Sequence, residues 1–261
     1  MTHTFAICAY NDSPFLEECI RSVTNQTTEA KVILCTSTPS SFIRNLCCRY
    51  HVPMYVNEKE HGITQDWNFA YEQSDTDIVT IAHQDDVYDS HYSEELRKFL
   101  RKAVRPIIYF TDYSEIRDGQ IEHDNKLLKI KRIMLFPLRF WIFWKSRFIR
   151  RRILSFGSPI CCPSVSFVKK NCPDVVFSHG FRASEDWEAW EKLSRLPGSF
   201  VYNPKVLTFH RIHEESETSK ILGDHARVRE DYIMFRKFWP SRIAKWLVGF
   251  YSKSEDSNEL K

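Results

Sequence analysis

Ile78-Val79-Thr80-Ile81-Ala82-His83-Gln84-Asp85-Asp86 is the stretch on which the fold turns. Its first five residues are apolar or β-branched, as in a strand covered on both faces, and the run then stops at a histidine, an amide and two carboxylates. A carboxylate at the carboxyl end of a buried strand can hold Mg²⁺ or Mn²⁺ in a ligand crevice, where such an ion bridges diphosphate oxygens. The same residues would also suit a surface turn whose aspartates cap backbone groups.

Outward from this stretch the chain alternates between two hydrophobic periods. Residues 4–10 read as a buried strand. Ser13-Pro14 then offers an N-cap and a first-turn proline to a helix with Phe15, Leu16, Cys19, Ile20 and Val23 on its apolar side. Further strands are predicted at 31–36, 52–57, 77–83 and 106–112, with helices at 39–50, 63–73 and 90–103 between them. Such alternation predicts an α/β fold with a mostly parallel sheet flanked by helices. Ligands of such sheets lie beyond the carboxyl ends of the strands, which points to Tyr10-Asn11, Thr36-Ser37 and His83 to Asp86.

The pattern breaks between about 119 and 155. There, large apolar residues mix with cations: Lys126 to Arg152 carries ten of the 37 Lys/Arg and none of the 34 Asp/Glu. The rest of the chain is therefore net acidic although the whole is +3. A basic block on an acidic body suits a local anionic partner rather than nucleic acid. With Phe136, Phe140, Trp141, Phe143, Trp144 and Phe148, the block has the composition of an interfacial helix on an anionic membrane. An insertion packed on the core, or an oligomer contact, would use the same residues. Beyond it we expect a helix at 184–195, strands at 200–203 and 205–210, a helix at 223–238 and a disordered tail from 253.

Composition narrows the function. Only 7 glycines occur, and no Gly-rich phosphate loop is present. None of the 8 cysteines is spaced CxxC, and several lie in apolar runs, so they read as buried free thiols. The opening apolar run is too short for a signal sequence, and no uncharged apolar stretch approaches ~20 residues, so the expected location is cytoplasmic.

Two further clusters carry chemistry. In Ser184-Glu185-Asp186-Trp187-Glu188-Ala189-Trp190, Asp186 opens a helix and could take a proton from an attacking hydroxyl; an acidic first turn favoured by the helix dipole has the same appearance. In His210-Arg211-Ile212-His213, a histidine could complete a metal site and Arg211 could face phosphate; an exposed strand end is the alternative.

Taken in order, these features resemble the family-2 glycosyltransferases of the GT-A fold, especially bacterial polysaccharide enzymes. The resemblance rests on Ala9-Tyr10-Asn11, the Gly62 to Asn68 helix start, His83-Gln84-Asp85-Asp86, Glu185-Asp186-Trp187 with Trp190, and Arg211-Ile212-His213, and covers 4–115 and 155–220. Two positions depart from the family pattern. His83 stands where the first metal-motif Asp is usual, and Cys35-Thr36-Ser37-Thr38 replaces a stretch that often carries a nucleobase-gripping Asp.

The resemblance implies an inverting transfer from a nucleotide-diphosphate sugar to the hydroxyl of a saccharide or lipid-linked saccharide acceptor, with peripheral contact to an anionic membrane at its inner face and no nucleic-acid partner. Asp186 is then the base, and Asp85 and His213 hold Mn²⁺ or Mg²⁺. Tyr10, Asn11, Thr36, Ser37, Gln65, Asn68, Gln84, Asp86 and Arg211 bind the donor. The chain divides into a donor half at 1–118, a basic aromatic insertion at 119–155, a catalytic half at 156–222, C-terminal helices at 223–252 and the tail. A nucleotidyltransferase would need a basic phosphate loop, and no cation occurs between Tyr10 and Arg21. A non-catalytic sugar-nucleotide binder or a membrane-peripheral scaffold leaves the retained Asp85 and Asp186 without a purpose.

Overall fold

The computed structural model describes residues 1–213 and 225–255. Nine strands form one sheet: β1 (His3–Ala9), β2 (Lys31–Thr36), β3 (Met54–Val56), β4 (Ile78–His83), β5 (Val87–Tyr88), β6 (Pro106–Arg117), β7 (Gln120–Glu122), β8 (Val165–Val168) and β9 (Ser199–Ile212). Their order is β3-β2-β1-β4-β8-β6-β9-β5, with β7 paired to β6. Helices α1 (Leu16–Thr24), α2 (Ser41–Tyr50), α3 (Ile63–Gln73) and α4 (Tyr92–Leu100) alternate with the first strands. Then come α5 (Lys126–Leu135), α6 (Arg147–Leu154), α7 (Glu185–Ser194), α8 (His225–Arg236) and α9 (Ser241–Glu255).

The strand order places the site. From β1 the chain winds outward through β2 to β3, then returns to add β4 on the other side of β1, all in parallel. The winding reverses between β1 and β4, so a crevice opens beyond their carboxyl ends. Past β4 the sheet is mixed: β8 runs antiparallel to both β4 and β6, and β6 and β9 are parallel.

Strands β5, β7 and β8 carried no expectation from the sequence, nor did the bounds of helices α5 and α6, and three expected elements differ from it. Strand β6 runs on through Asp112, Ser114 and Glu115, because β9 supplies a long parallel partner for these polar residues. The two strands expected at 200–203 and 205–210 are one. The pairing jumps from Asn203 to Val206, so Pro204, which has no N–H, and Lys205 fall in an irregularity of the ladder. The last helix continues to Glu255, past the expected start of the tail, whose residues 256–261 lie outside the described residues.

The sheet core is apolar with polar groups threaded through it. His3 is 1% exposed, and both ring nitrogens are bonded, Nδ1 to Ser93 Oγ (3.1 Å) and Nε2 to Thr80 Oγ1 (2.8 Å). Burial first, and then the Arg97 charge, lower its pKa to about 3, so the ring stays neutral. All eight cysteines are free. Burial raises the Cys35 thiol to about 12 and Cys47 to about 11, as expected of packing residues rather than nucleophiles.

Arg150 shows how the basic segment also serves the fold. It is 1% exposed, its guanidinium donates to the carbonyls of Ser194 (2.8 Å), Gly198 (2.7 Å) and Leu196, and it lies over the Phe200 ring. These carbonyls end α7 or follow it, where backbone acceptors lack helical partners. Arg150→Met leaves three buried acceptors unpaired and should cost about 3–5 kcal/mol. The expected result is a lower urea midpoint with an unchanged slope.

Candidate active site

The ends of β1 and β4 are tied together by Gln84. Its amide accepts from the Tyr10 N–H (3.0 Å) and donates to the Tyr10 carbonyl (2.9 Å), which holds the half-exposed Tyr10 ring at the rim of the crevice. Asn11 follows with φ +55°, a left-handed conformation that asparagine tolerates, and its N–H donates to Thr38 Oγ1 (2.6 Å). At the start of α3, Gly62 has φ +146°, a backbone conformation that side-chain-bearing residues rarely adopt.

Beyond β4, three histidines gather round the two aspartates. Asp85 Oδ2 is 3.0 Å from His213 Nε2, and this contact, with the nearby His83 and His210, outweighs burial and keeps the carboxyl below its ordinary value. Asp86 is fully buried. Its Oδ1 pairs with His210 Nδ1 (2.9 Å) and accepts the Arg211 N–H (2.9 Å). Burial would lower the His210 pKa, but Asp86 raises it to about 9, so the imidazole is protonated at neutral pH. His83 stacks on Trp67 at 4.9 Å, and burial lowers its pKa, leaving a neutral imidazole.

One atom from each of His83, Asp85 and Asp86 lies within 4.8 Å of the other two. His83 Nε2 and Asp86 Oδ2 are buried with no hydrogen-bond partner among the described residues. A neutral imidazole and two carboxylates converging with unmet polar atoms fit a divalent cation, Mn²⁺ being the ion most at ease with mixed nitrogen and oxygen donors and Mg²⁺ with the oxygens.

Asp186 is the second residue of α7. Its Oδ1 accepts the Trp187 N–H (2.5 Å) and its Oδ2 faces Ser158 Oγ (3.3 Å). Burial raises its pKa, against the Trp187 N–H and the charges of Lys131 and Arg227. The loop before α7 is clamped from far along the chain: the Glu230 carboxylate, on α8, accepts the N–H groups of Arg182 (2.9 Å), Ala183 (2.9 Å) and Ser184 (3.1 Å).

Tyr10, Asn11, Gln65, Gln84, Asp85, Asp186 and His213 share the wall of one cleft of about 1150 Å³. The other expected donor contacts stand behind it. Asn68 is locked in both directions to the Phe177 backbone (2.8 and 3.0 Å). The Arg211 guanidinium is taken by the Asp85 carbonyl (2.9 Å) and Glu18 (2.5 Å). Thr36 Oγ1 accepts the Thr38 N–H (3.0 Å), Ser37 donates to Asp66 (2.8 Å), and Asp86 holds His210. These five side chains hold neighbouring backbone or side-chain groups behind the cleft, because strand ends are visible in a sequence while side-chain direction is set by register. Sequence reading also passed over cleft residues: Tyr113 and Glu115 on the longer β6, Asp66 on α3, and Lys131 on α5, which donates to Tyr113 Oη (2.8 Å). The polar half of β6 carried no strand signal, and nothing in the basic segment marked which lysine turns inward.

Two solved structures share this architecture. Residues 1–349 of S. aureus TarS, in complex with UDP-GlcNAc, align with a TM-score of 0.65 over 95% of this chain and 70% of that one, at 13% identity. The mannosyltransferase PcManGT of Pyrobaculum calidifontis, in complex with GDP-Man and Mn²⁺, gives 0.61 over 99% and 76%, also at 13% identity. No curated protein sequence matches the chain. The curled, helix-flanked sheet with its cleft at the β1/β4 switch is that of a GT-A glycosyltransferase. Residues 4–171 match the glycosyl transferase family 2 model, and the chain belongs to that family.

Proposed function

We propose that the protein is an inverting glycosyltransferase that moves a sugar from a nucleotide-diphosphate sugar to the hydroxyl of a saccharide acceptor. The observation that carries this reading is the meeting of two chemistries on one cleft: His83 and Asp85 on its wall, with the buried Asp86 converging on them from behind, and the half-buried Asp186 carboxylate at the start of α7. His83, Asp85 and Asp86 would hold Mn²⁺ or Mg²⁺, with His213 supporting Asp85. When bound, the ion supplies neutralisation of the negative charge developing on the departing diphosphate. Asp186 accepts the proton of the acceptor hydroxyl as that oxygen attacks the anomeric carbon, and the bond to the diphosphate breaks on the opposite face. Gln84 fixes the rim, Tyr10 and Gln65 border the donor, and Lys131, brought in by α5, sets a cation near Asp186. Orientation and charge stabilisation provide most of the acceleration.

A panel of nucleotide sugars with Mn²⁺ or Mg²⁺ and a saccharide-lipid extract tests this. Nucleoside diphosphate should be released from one donor in an acceptor-dependent way. Absence of both release and nucleotide binding across the panel would overturn it.

The acceptor we infer is lipid-linked, at the inner face of an anionic membrane. Support comes from the basic segment's surface, where Trp141 is 68% and Phe148 70% exposed beside the exposed Arg139, Lys145 and Arg147. No helix among the described residues is long and apolar enough to cross a membrane, so contact would be peripheral. Wild type should float with vesicles containing phosphatidylglycerol, and W141E/F148E should lose at least tenfold of that binding with an unchanged melting temperature. Equal flotation of the two proteins would argue for a protein contact instead.

A further inference from the structure

Helix α5 turns one cation into the cleft. Leu127, Ile130, Lys131 and Met134 lie on the cleft wall at the i, i+3, i+4, i+7 spacing of a single helix face. Other cations of the helix are matched: Lys129 pairs with Asp124 (3.2 Å) and Arg132 with Asp112 (2.7 Å). Lys131 is not. It donates to Tyr113 Oη (2.8 Å), its Nζ lies 5.3 Å from the centre of that ring, and no carboxylate among the described residues, Asp186 included, comes within ion-pair distance of it. Burial lifts the Tyr113 pKa above its ordinary value, so the partner is a neutral phenol and the ammonium charge stays uncompensated. Glu115, on the same wall, is already taken by Arg117 (3.0 Å) and Asn125 (2.7 Å). An ammonium carries three N–H groups, so two remain for a ligand.

The surroundings say what that ligand is and which substrate carries it. The cleft wall also holds Phe156 and, from α9, Leu247, Phe250 and Tyr251. In such an apolar frame an unmatched cation is costly, and its attraction for an anion is stronger than in water. The charge of Lys131 acts on Asp186, as does that of Arg227, a further cleft residue. Ser158 ties this end together, its Oγ donating to Asp186 Oδ2 (3.3 Å) and its N–H to Tyr251 Oη (3.4 Å). The donor's phosphates have their counter-charge elsewhere, in the ion that His83, Asp85 and Asp86 would hold beyond β4. The molecule whose hydroxyl meets Asp186 is the acceptor, so an anion beside Asp186 belongs to the acceptor.

Resting on the reading of Asp186 as the base, we propose that Lys131 binds an oxyanion of the acceptor, which makes the acceptor an acidic saccharide with a phosphate or carboxylate close to the hydroxyl that is glycosylated. A neutral sugar would leave the ammonium unmatched in its apolar frame, and the difference is the basis of selection.

The test is calorimetric binding of glucose 6-phosphate, glucuronate and glucose, which differ only at C6. The protein is wild type, Lys131→Met or Lys131→Arg, with its donor end filled by nucleoside diphosphate and Mn²⁺. Wild type should bind one or both anions about tenfold or more tightly than glucose. Lys131→Met should erase that preference, and Lys131→Arg, which keeps the charge, should retain most of it. The stronger of the two anions identifies phosphate or carboxylate as the source. Lys131→Met should bind nucleoside diphosphate as wild type does, which guards against a folding defect. Equal binding of charged and neutral sugars by wild type, or a preference that survives Lys131→Met, overturns the proposal. Parallel loss of nucleoside-diphosphate binding in a folded Lys131→Met assigns the lysine to the donor and likewise overturns it. Failure of wild type to bind any nucleoside diphosphate sinks the donor-cleft reading itself.

Discussion

Asp186→Asn is expected to retain nucleotide binding and lose about a thousandfold or more in sugar transfer. The substitution is nearly isosteric, and an amide oxygen can still accept the Trp187 N–H, so α7 keeps its start. What disappears is the only function that needs a charge there, acceptance of the hydroxyl proton, and general-base contributions commonly reach ~10²–10⁴-fold. Calorimetry with nucleoside diphosphate and Mn²⁺ should give the wild-type affinity, while acceptor-dependent release falls to background. Equal loss of both would make Asp186 a structural residue.

The pH dependence follows with a definite sign. Burial lifts the folded pKa of Asp186 above its ordinary value of about 3.8, so kcat/KM should rise with pH through a limb displaced upward from the usual carboxylate range, and that limb should be missing in Asp186→Asn. The linkage runs opposite for stability. Between the unfolded and the raised folded pKa the native state holds more protons, so this group's contribution falls as pH rises through that window. The variant should thus be at least as stable as wild type at neutral pH, the usual relation for a strained catalytic group.

Asp85→Ala is expected to weaken Mn²⁺ binding by about a hundredfold or more and to abolish turnover at micromolar ion. Of the two carboxylate donors, Asp85 is the one on the cleft wall, held below its ordinary pKa by His213 and its histidine neighbours against burial. Asp86 and His83 alone leave an ion with one carboxylate, and that carboxylate is shared with His210. Free Mn²⁺ read by electron paramagnetic resonance during titration measures the loss independently of activity. His213→Ala, which removes the 3.0 Å contact with Asp85, should cost about tenfold. An unchanged Mn²⁺ isotherm in Asp85→Ala would place the ion elsewhere.

Much of the fold was legible because burial writes itself into periodicity. β1, β2, β4 and helices α2, α3 and α7 fall close to where the alternation of apolar residues put them, and the carboxyl ends of β1 and β4 pointed to the cleft. The polar half of β6 was not legible, since Asp112, Ser114 and Glu115 become strand only when β9 arrives to pair with them. Nor was the merger across Pro204, which depends on a ladder irregularity that no local signal announces. Of the basic segment, sequence gave the charge and the aromatics, but the structure separates Arg150, a buried cap on α7, from Trp141 and Phe148, which remain outside.

By itself the sequence determined the alternating architecture, the order of the acidic motifs and the chemistry those residue types can perform. Tertiary structure decided which of them line the cleft. Asn68 and Arg211 look as able as Gln65 to bind a donor along the chain, yet each spends its side chain on backbone or an internal partner. Asp66 and Lys131 carry no mark in sequence and are turned into the cleft. The reason is that side-chain direction depends on strand register and on partners ~160 Å of extended chain away, as the hold of Glu230 on the start of α7 illustrates: residue type is a local property, and orientation is not.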